Sequence, residues 1–406
     1  MGEHLLFLAH RIPYPPDKGD KIRSYHLLRH LAERYQVHLG AFVDDSRDWH
    51  YHTELESLCR EVFLQEIRPA RRKLASLRGL LNGHPLTLPY YASARMQAWV
   101  DALLDGTDIG KAVLFCSPMA QYLDGERYSH LRRVVDFVDI DSDKWAQYAR
   151  SKSWPMSWIY GREARTLFRY EQHIATRFDA TVFVSDDESR LFRRLVPEAA
   201  DRVNAIHNGV DTDYFSPRRE YANPYGDERP RLVFTGAMDY WANVDAVTWF
   251  ARNIFKRVRN HIAEAEFWIV GSKPAAEVLA LKQLPGVTVT GRVEDVRPYL
   301  AHARAVVAPM RIARGVQNKV LEAMAMARPV VVTPEAAEGI SATPGEHFLL
   351  AAGTAEIARA ALASLRGEQP ATGNAARAYV EANHGWASHL SRFSELLVGP
   401  SEETPR

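Results

Sequence analysis

The stretch Gly291 to Gly339 constrains the fold more than any other part of the chain. A short helix pattern, Val296 to Ala303, leads into an apolar strand pattern, Ala305 to Pro309. A basic loop that contains glycine follows, Arg311 to Gly315, and then a helix pattern carrying Lys319 and Glu322. A second apolar strand pattern, Pro329 to Thr333, closes the unit. Strand, glycine loop, helix start and strand is how a parallel α/β sheet builds an anion site. The strand brings the loop to the sheet edge, and the helix start aims backbone N–H groups at a phosphate. Lys319 falls in the first turn and adds a full charge. Glu322 lies three residues on, close to the same face, where a carboxylate can accept from a hydroxyl. The same pattern also suits an ordinary βαβ unit whose charges are solvated, and the residues alone leave both readings open.

At 406 residues the chain exceeds what one core usually holds and suits two α/β domains. Its apolar share of 46% and charged share of 25% are those of a globular protein. A net charge of +1 gives no global field for nucleic acid, so charged partners must be read from local patches. Cys59 and Cys116 are far apart and in no metal-ligand spacing, which excludes a disulfide framework and suits a reducing cytoplasm. No run approaches the roughly 20 apolar residues of a spanning helix, and no secretory leader precedes the first strand.

From the N-terminus, His4 to Ala9 predicts a buried strand, His10 to Gly19 a proline-rich loop, Lys21 to Arg34 a helix with Leu27, Leu28 and Leu31 on one face, and Val37 to Val43 a strand. Gly19 stands where a helix entry lets backbone approach a ligand. Strands are also predicted at Lys111 to Cys116, Arg133 to Val138 and Ala180 to Ser185, the last of these expected to close the first half. Ser185 and Glu188 form a capping arrangement. Asp139, Asp141 and Asp143 follow a strand end, where α/β sheets bind ligands. They do not make a calcium loop, because Lys144 and Arg150 occupy the positions that need Gly and Glu. The second half is predicted to open with strand Arg231 to Thr235, then helix Val244 to Phe255 and strands Ala265 to Val270 and Val287 to Thr290. Its three strands end in Gly236, Gly271 and Gly291, which predicts close backbone approach to a ligand.

Two segments are rich in bases and aromatics. Residues 67 to 100 carry Arg68, Arg71, Arg72, Lys73, Arg78 and Arg95 and no acid, with Leu74, Leu77, Leu80 and Leu81 interleaved. Residues 144 to 178 hold seven bases against two acids, with Trp145, Trp154 and Trp158 among their aromatics. Each fits an anionic membrane surface; the first equally fits a solvated helix packed on the core, and the aromatics of the second suit base stacking but come with no RNA-binding motif.

The chain resembles the GT-B glycosyltransferases. The carriers are Asn208-Gly209-Val210-Asp211, Phe234-Thr235-Gly236, Gly291-Arg292-Val293-Glu294, Leu321-Glu322-Ala323-Met324-Ala325 and Arg328-Pro329-Val330-Val331, in the family's order along nearly the whole chain. These motifs look like family 4 of the retaining enzymes. More narrowly, Pro89-Tyr90-Tyr91, Asp136-Phe137-Val138-Asp139, Met238-Asp239-Tyr240-Trp241 and Gly315-Val316-Gln317-Asn318-Lys319 are similar to sugar transferases of bacterial exosortase (PEP-CTERM) and exopolysaccharide clusters. The resemblance implies two Rossmann-like doubly wound domains facing a cleft: 1–217, a linker at 218–230, a nucleotide-sugar domain at 231–385, and a tail at 386–406 that can cross back to the first domain.

The resemblance also implies roles. Glu322 matches the second Glu of a paired motif that binds the donor ribose. The first Glu would fall at Arg314, and the family's basic pair would fall near Ala237 and Asn243, so both are replaced here. Lys319 is then the leading source of charge for the diphosphate, with Arg311 and Arg314 behind it. Arg292, Val293 and Glu294 match the segment that frames the base. Gly19 and Arg23 match the first-half loop and helix near the diphosphate. The expected donor site thus comprises Gly19, Arg23, Gly236, Gly271, Arg292, Val293, Glu294, Arg314, Gly315, Val316, Asn318, Lys319 and Glu322. Asp139 is the expected sugar or acceptor contact, and Lys319 and Glu322 join it as the chemical residues. The expected activity is metal-independent, cofactor-free transfer of a hexosyl group with retention, from a nucleotide-diphosphate sugar to a lipid-linked or polysaccharide acceptor. The expected setting is cytoplasmic, peripheral on the membrane through 68–95 and 144–178. A non-catalytic sugar-nucleotide-binding protein and a GT-B epimerase are the competing readings.

Overall fold

The computed structural model describes residues 2–16, 19–68, 72, 76, 79, 83–313, 316–368 and 370–399. By internal packing the chain divides into Met1–Asn208 with His389–Arg406, and Gly209–Ser388. The division falls ahead of the expected linker, and 218–230 belongs wholly to the second unit.

The first unit is built on a seven-stranded parallel sheet. Its strands are β1 (His4–Ala9), β2 (Gln36–Val43), β3 (Glu61–Glu66), β4 (Ile109–Phe115), β5 (Arg132–Val138), β6 (Ala180–Phe183) and β7 (Val203–Ala205). The order is β3-β2-β1-β4-β5-β6-β7, so the direction of winding reverses between β1 and β4. Ligands of open α/β sheets bind beyond the strand carboxyl ends at such a reversal. Residues Leu5 to Ala9 of β1 are all fully buried, the continuous apolar run of a strand covered on both faces. The main helices here are α1 (Gly19–Ala32), α2 (Asp141–Ser151), α3 (Met156–Arg177) and α4 (Asp186–Leu195). Leu27, Leu28 and Leu31 are fully buried on α1, as their spacing predicts. The Ser185 side chain accepts from Glu188 N and caps α4, while the Glu188 carboxylate accepts from Ile140 N rather than reaching back to Ser185. Ala180 to Ser185 is not the last strand of this sheet: β7 follows it and pairs with β6 through Thr181 to Phe183.

The second unit repeats the plan with six parallel strands: β8 (Arg231–Thr235), β9 (Glu266–Val270), β10 (Val287–Gly291), β11 (Ala305–Ala308), β12 (Val330–Val332) and β13 (Leu349–Leu350). Their order is β10-β9-β8-β11-β12-β13, which reverses between β8 and β11. Helix α5 (Trp241–Trp249) continues through a π turn, Phe250–Phe255, to Arg259. Helix α6 (Asn318–Ala325) follows β11, and α7 (Trp386–Val398) starts in the second unit and ends in the first. Both sheets are thus doubly wound and Rossmann-like. Most of the basic stretch 67–100 before Gly83 lies outside the described residues. None of the described helices is long and apolar enough to cross a membrane.

Candidate functional site

In the second unit the reversal point is occupied by the segment the sequence singles out. Buried Val320, Leu321, Ala323, Met324 and Ala325 anchor α6 on the sheet. The residue before it, Gln317, has extended backbone, and no side chain caps the helix, so its leading N–H groups point outward without a side-chain acceptor. Lys319 lies over the Phe234 ring of β8, its Nζ 5.4 Å from the centroid, and donates to Gln317 Oε1 at 3.2 Å. Burial pulls the Lys319 ammonium down to about 8, against the attraction of Glu322. Burial likewise pushes the Glu322 carboxyl up to about 7, against the attraction of Lys319. Among the described residues the half-buried Glu322 carboxylate has no hydrogen-bond partner, which is uncommon for a group so far out of water. Val316 packs on the core and Asn318 is exposed at the helix start, whereas Arg314 and Gly315 lie outside the described residues.

Arg311 is not a free cation. It donates through Nε to Asp245 at 2.9 Å and lies 5.5 Å over the Trp249 ring. The glycines at the strand ends differ in purpose. A Cβ on Gly271 would lie 1.7 Å from the Gly236 carbonyl oxygen, and one on Gly236 would lie 2.8 Å from Asn243 Nδ2. Packing by itself therefore requires glycine at both positions, Gly271 because the backbone at the end of β8 passes against it and Gly236 because the Asn243 side chain of α5 does. Only Gly291, at φ +76° with nothing near its absent Cβ, faces open space. Beside it, Arg292, Val293 and Glu294 line a cavity of about 510 Å³ with Asp295 and Tyr299. Sequence reasoning missed Tyr214, whose ring sits 3.7 Å from the Arg297 guanidinium carbon. Burial raises the Tyr214 hydroxyl, with Asp295 and Glu322 acting in the same direction, which puts this ring within electrostatic range of the Glu322 carboxylate.

In the first unit Gly19 opens α1 with no atom near its absent Cβ. Arg23 does not face a ligand, contrary to expectation. It is 1% exposed and donates to Asp136 at 2.8 Å, the Ile206 carbonyl at 2.9 Å and Asn208 Oδ1 at 3.0 Å. Its charge is spent on tying α1 to β5 and to the chain beyond β7, because Asp136 at 0% exposure needs a cation beside it. Asp139, half-buried past the end of β5, accepts from Lys144 Nζ at 2.7 Å, and Asp141 shares that lysine at 3.3 Å. Val138, immediately before Asp139, has φ +68°, a strained conformation for a β-branched residue and one that active sites hold disproportionately. A second polar group was not legible in the sequence. Past β1, His10 approaches Asp20 at 3.4 Å and stacks on Phe115, while Arg11 bridges Asp20 and Asp44. His10 and Arg11 therefore sit at the first sheet's reversal point, where β1 meets β4.

Residues 229–366 match the family model described as glycosyl transferases group 1. No curated protein matches. Among solved structures, sucrose-phosphate synthase from Thermosynechococcus elongatus aligns over 97% of this chain and 98% of its own, at 17% identity and TM-score 0.65. HepE from Anabaena, in complex with UDP and glucose, aligns over 98% and 99% at 15% identity and TM-score 0.63. WaaG, a glycosyltransferase involved in lipopolysaccharide biosynthesis, aligns over 97% and 100% at 15% identity and TM-score 0.64. The fold is therefore GT-B, and within it residues 229–366 are similar to the group 1 glycosyl transferases.

Proposed function

We propose that the protein transfers a sugar from a nucleotide-diphosphate donor to a lipid-linked or polysaccharide acceptor, with retention and without a bound metal, in exopolysaccharide or surface-glycan synthesis. The observation that carries this reading is the Lys319–Glu322 pair on the uncapped start of α6. A donor diphosphate placed there meets backbone N–H groups and an ammonium, which stabilise the charge that builds as the sugar leaves. A ribose hydroxyl donates to the unpartnered Glu322 carboxylate. The cavity at Arg292 to Glu294 receives the base. Asp139 contacts the sugar or the acceptor, and what remains of the chemistry is positioning and removal of the acceptor proton. That HepE is known with UDP and UDP-glucose makes these the first probes.

The second basic and aromatic segment supports a peripheral membrane setting. Around the turn between α2 and α3, Trp154 is 80% exposed, Trp158 56% and Tyr148 53%, with Arg150 and Lys152 exposed among them. A competing reading, a non-catalytic sugar-nucleotide-binding protein, is favoured by the residues that replace the family's basic pair. Of these, Asn243 is buried and holds the Ala237 carbonyl at 2.9 Å, so it brings no charge to a phosphate.

Thermal unfolding in the presence of UDP-, GDP-, ADP- and dTDP-sugars tests the proposal, since a ligand bound only by the native state raises Tm. At least one donor is expected to stabilise the wild type and to lose that effect in Glu322→Ala. Transfer or donor hydrolysis then separates catalysis from binding. No stabilisation by any donor would remove the donor site, and stabilisation without turnover would favour the binding protein.

A further inference from the structure

A second cavity, of about 760 Å³, lies on the second unit along the outer face of α5, bordered by the segments that follow β9 and β11. Neither Lys319 nor Glu322 lines it. Its walls combine two indoles with a ring of charged groups: Trp241 and Trp249, then Asp239, Asp245, Arg252 and Arg311. Trp241 is 55% exposed, and its neighbour Tyr240 is 54% exposed with the two ring centroids 6.1 Å apart. Such a broad bare aromatic lip is unusual unless something lies on it.

The polar groups are held in place before any ligand arrives. Arg311 is fixed between the Asp245 carboxylate and the Trp249 ring, so the floor is one rigid assembly of carboxylate, guanidinium and indole. Thr248 also lines the cavity, and its hydroxyl is buried without a hydrogen-bond partner. Acids outnumber bases in the lining once Glu277 is included, which disfavours a phosphate-rich ligand. A neutral sugar ring fits all of these features. Its C–H face is weakly positive and lies on the negative face of an indole. Its hydroxyls both donate to carboxylates and accept from a guanidinium.

We infer that this cavity is a saccharide subsite, separate from the donor site, that takes one or a few rings of a neutral glycan. Trp241 is the stacking platform, and Asp239, Asp245 and Arg311 bond the hydroxyls. Saccharide binding stands on the cavity's own chemistry, while its use in holding the glycan to be extended rests on the sugar-transfer reading.

Cellotriose, maltotriose and chitotriose are the probes, measured by saturation-transfer NMR and titration calorimetry on the full chain. At least one is expected to bind the wild type, and Trp241→Ala is expected to weaken it by about tenfold or more. Asp239→Asn, which keeps the shape, should weaken it less. Both variants should keep the wild-type Tm and the same stabilisation by UDP-glucose. Failure of all three saccharides to bind, or wild-type binding by Trp241→Ala, overturns the inference. UDP-glucose binding alongside such a failure leaves the donor site standing. Saccharide binding without any donor binding leaves the subsite standing and removes the donor site.

Discussion

The Lys319 ammonium sits in surroundings that bring it from the ordinary 10.5 to about 8, so the protein disfavours this charge by roughly 3 kcal/mol relative to water. A diphosphate bound beside it reverses that balance and restores the charge. Donor binding and proton binding at Lys319 are then linked, each favouring the other. Below pH 8 the lysine is already charged and contributes no pH dependence of its own. Above pH 8 the free protein must take up a proton to bind, so Kd rises by nearly tenfold per pH unit until the bound-state value is passed. With Glu322 at about 7, a second limb appears on the acid side, where the carboxyl loses its charge. The pair shares these titrations, so the two limbs belong to it jointly. Best donor affinity is expected between about pH 7 and 8, falling roughly tenfold by pH 9.

Calorimetric titration with UDP-glucose from pH 6 to 9.5 reads this directly, because the diphosphate diester does not titrate there. In Lys319→Met the alkaline limb should vanish. The acid limb should move up, since Glu322 loses the cation that now holds its carboxyl down. The unliganded protein should show the opposite trend on the alkaline side. A lysine whose charge is disfavoured in the fold makes the native state more stable as pH climbs from about 8 toward the ordinary lysine range. A flat wild-type Kd from pH 7 to 9.5, or the same alkaline limb in Lys319→Met, would refute the assignment of Lys319 to the diphosphate.

Transfer by Lys319→Ala should be slower by about two orders of magnitude, and a near-normal kcat would return Lys319 to a packing role. Arg23→Met should cost about 3–5 kcal/mol in urea unfolding, because it strands Asp136 in the core; a loss under 1 kcal/mol would show that Arg23 does not hold β5. Joint replacement of Trp154 and Trp158 by alanine should abolish salt-sensitive binding to vesicles containing phosphatidylglycerol, and equal wild-type binding to neutral vesicles would remove the membrane assignment. Transfer should persist in EDTA, and its loss with rescue by a divalent cation would contradict metal independence.

Much of the fold was legible because its strands are short apolar runs bounded by glycine, proline or a helix cap. β1 and β8 fall within the residues their hydrophobicity marks out. β3 was missed because its residues are only half-buried and both its ends are glutamates. β7 escaped because three residues give no periodicity to read. At the candidate site, Lys319 and Glu322 were visible because helical spacing alone puts them together. Arg23 was misassigned because its partner Asp136 lies far away in sequence, and nothing local distinguishes a ligand-facing arginine from one buried in an ion pair. The His10, Arg11, Asp20 and Asp44 group was invisible for the same reason, since only strand order brings those ends side by side.

The closing turns of α7 have a practical consequence. Leu390, Phe393 and Leu397 are almost wholly covered, Ser394 meets His30 at 2.8 Å, and Arg132 donates to the Leu396 carbonyl. These residues complete a globule whose other members all precede Gly209. A fragment cut after Asn208 would therefore carry a bare greasy trough and a stranded imidazole, and it should aggregate. Supplying 386–399 as a separate peptide should rescue its solubility, so two stretches far apart in the chain make a single folding body.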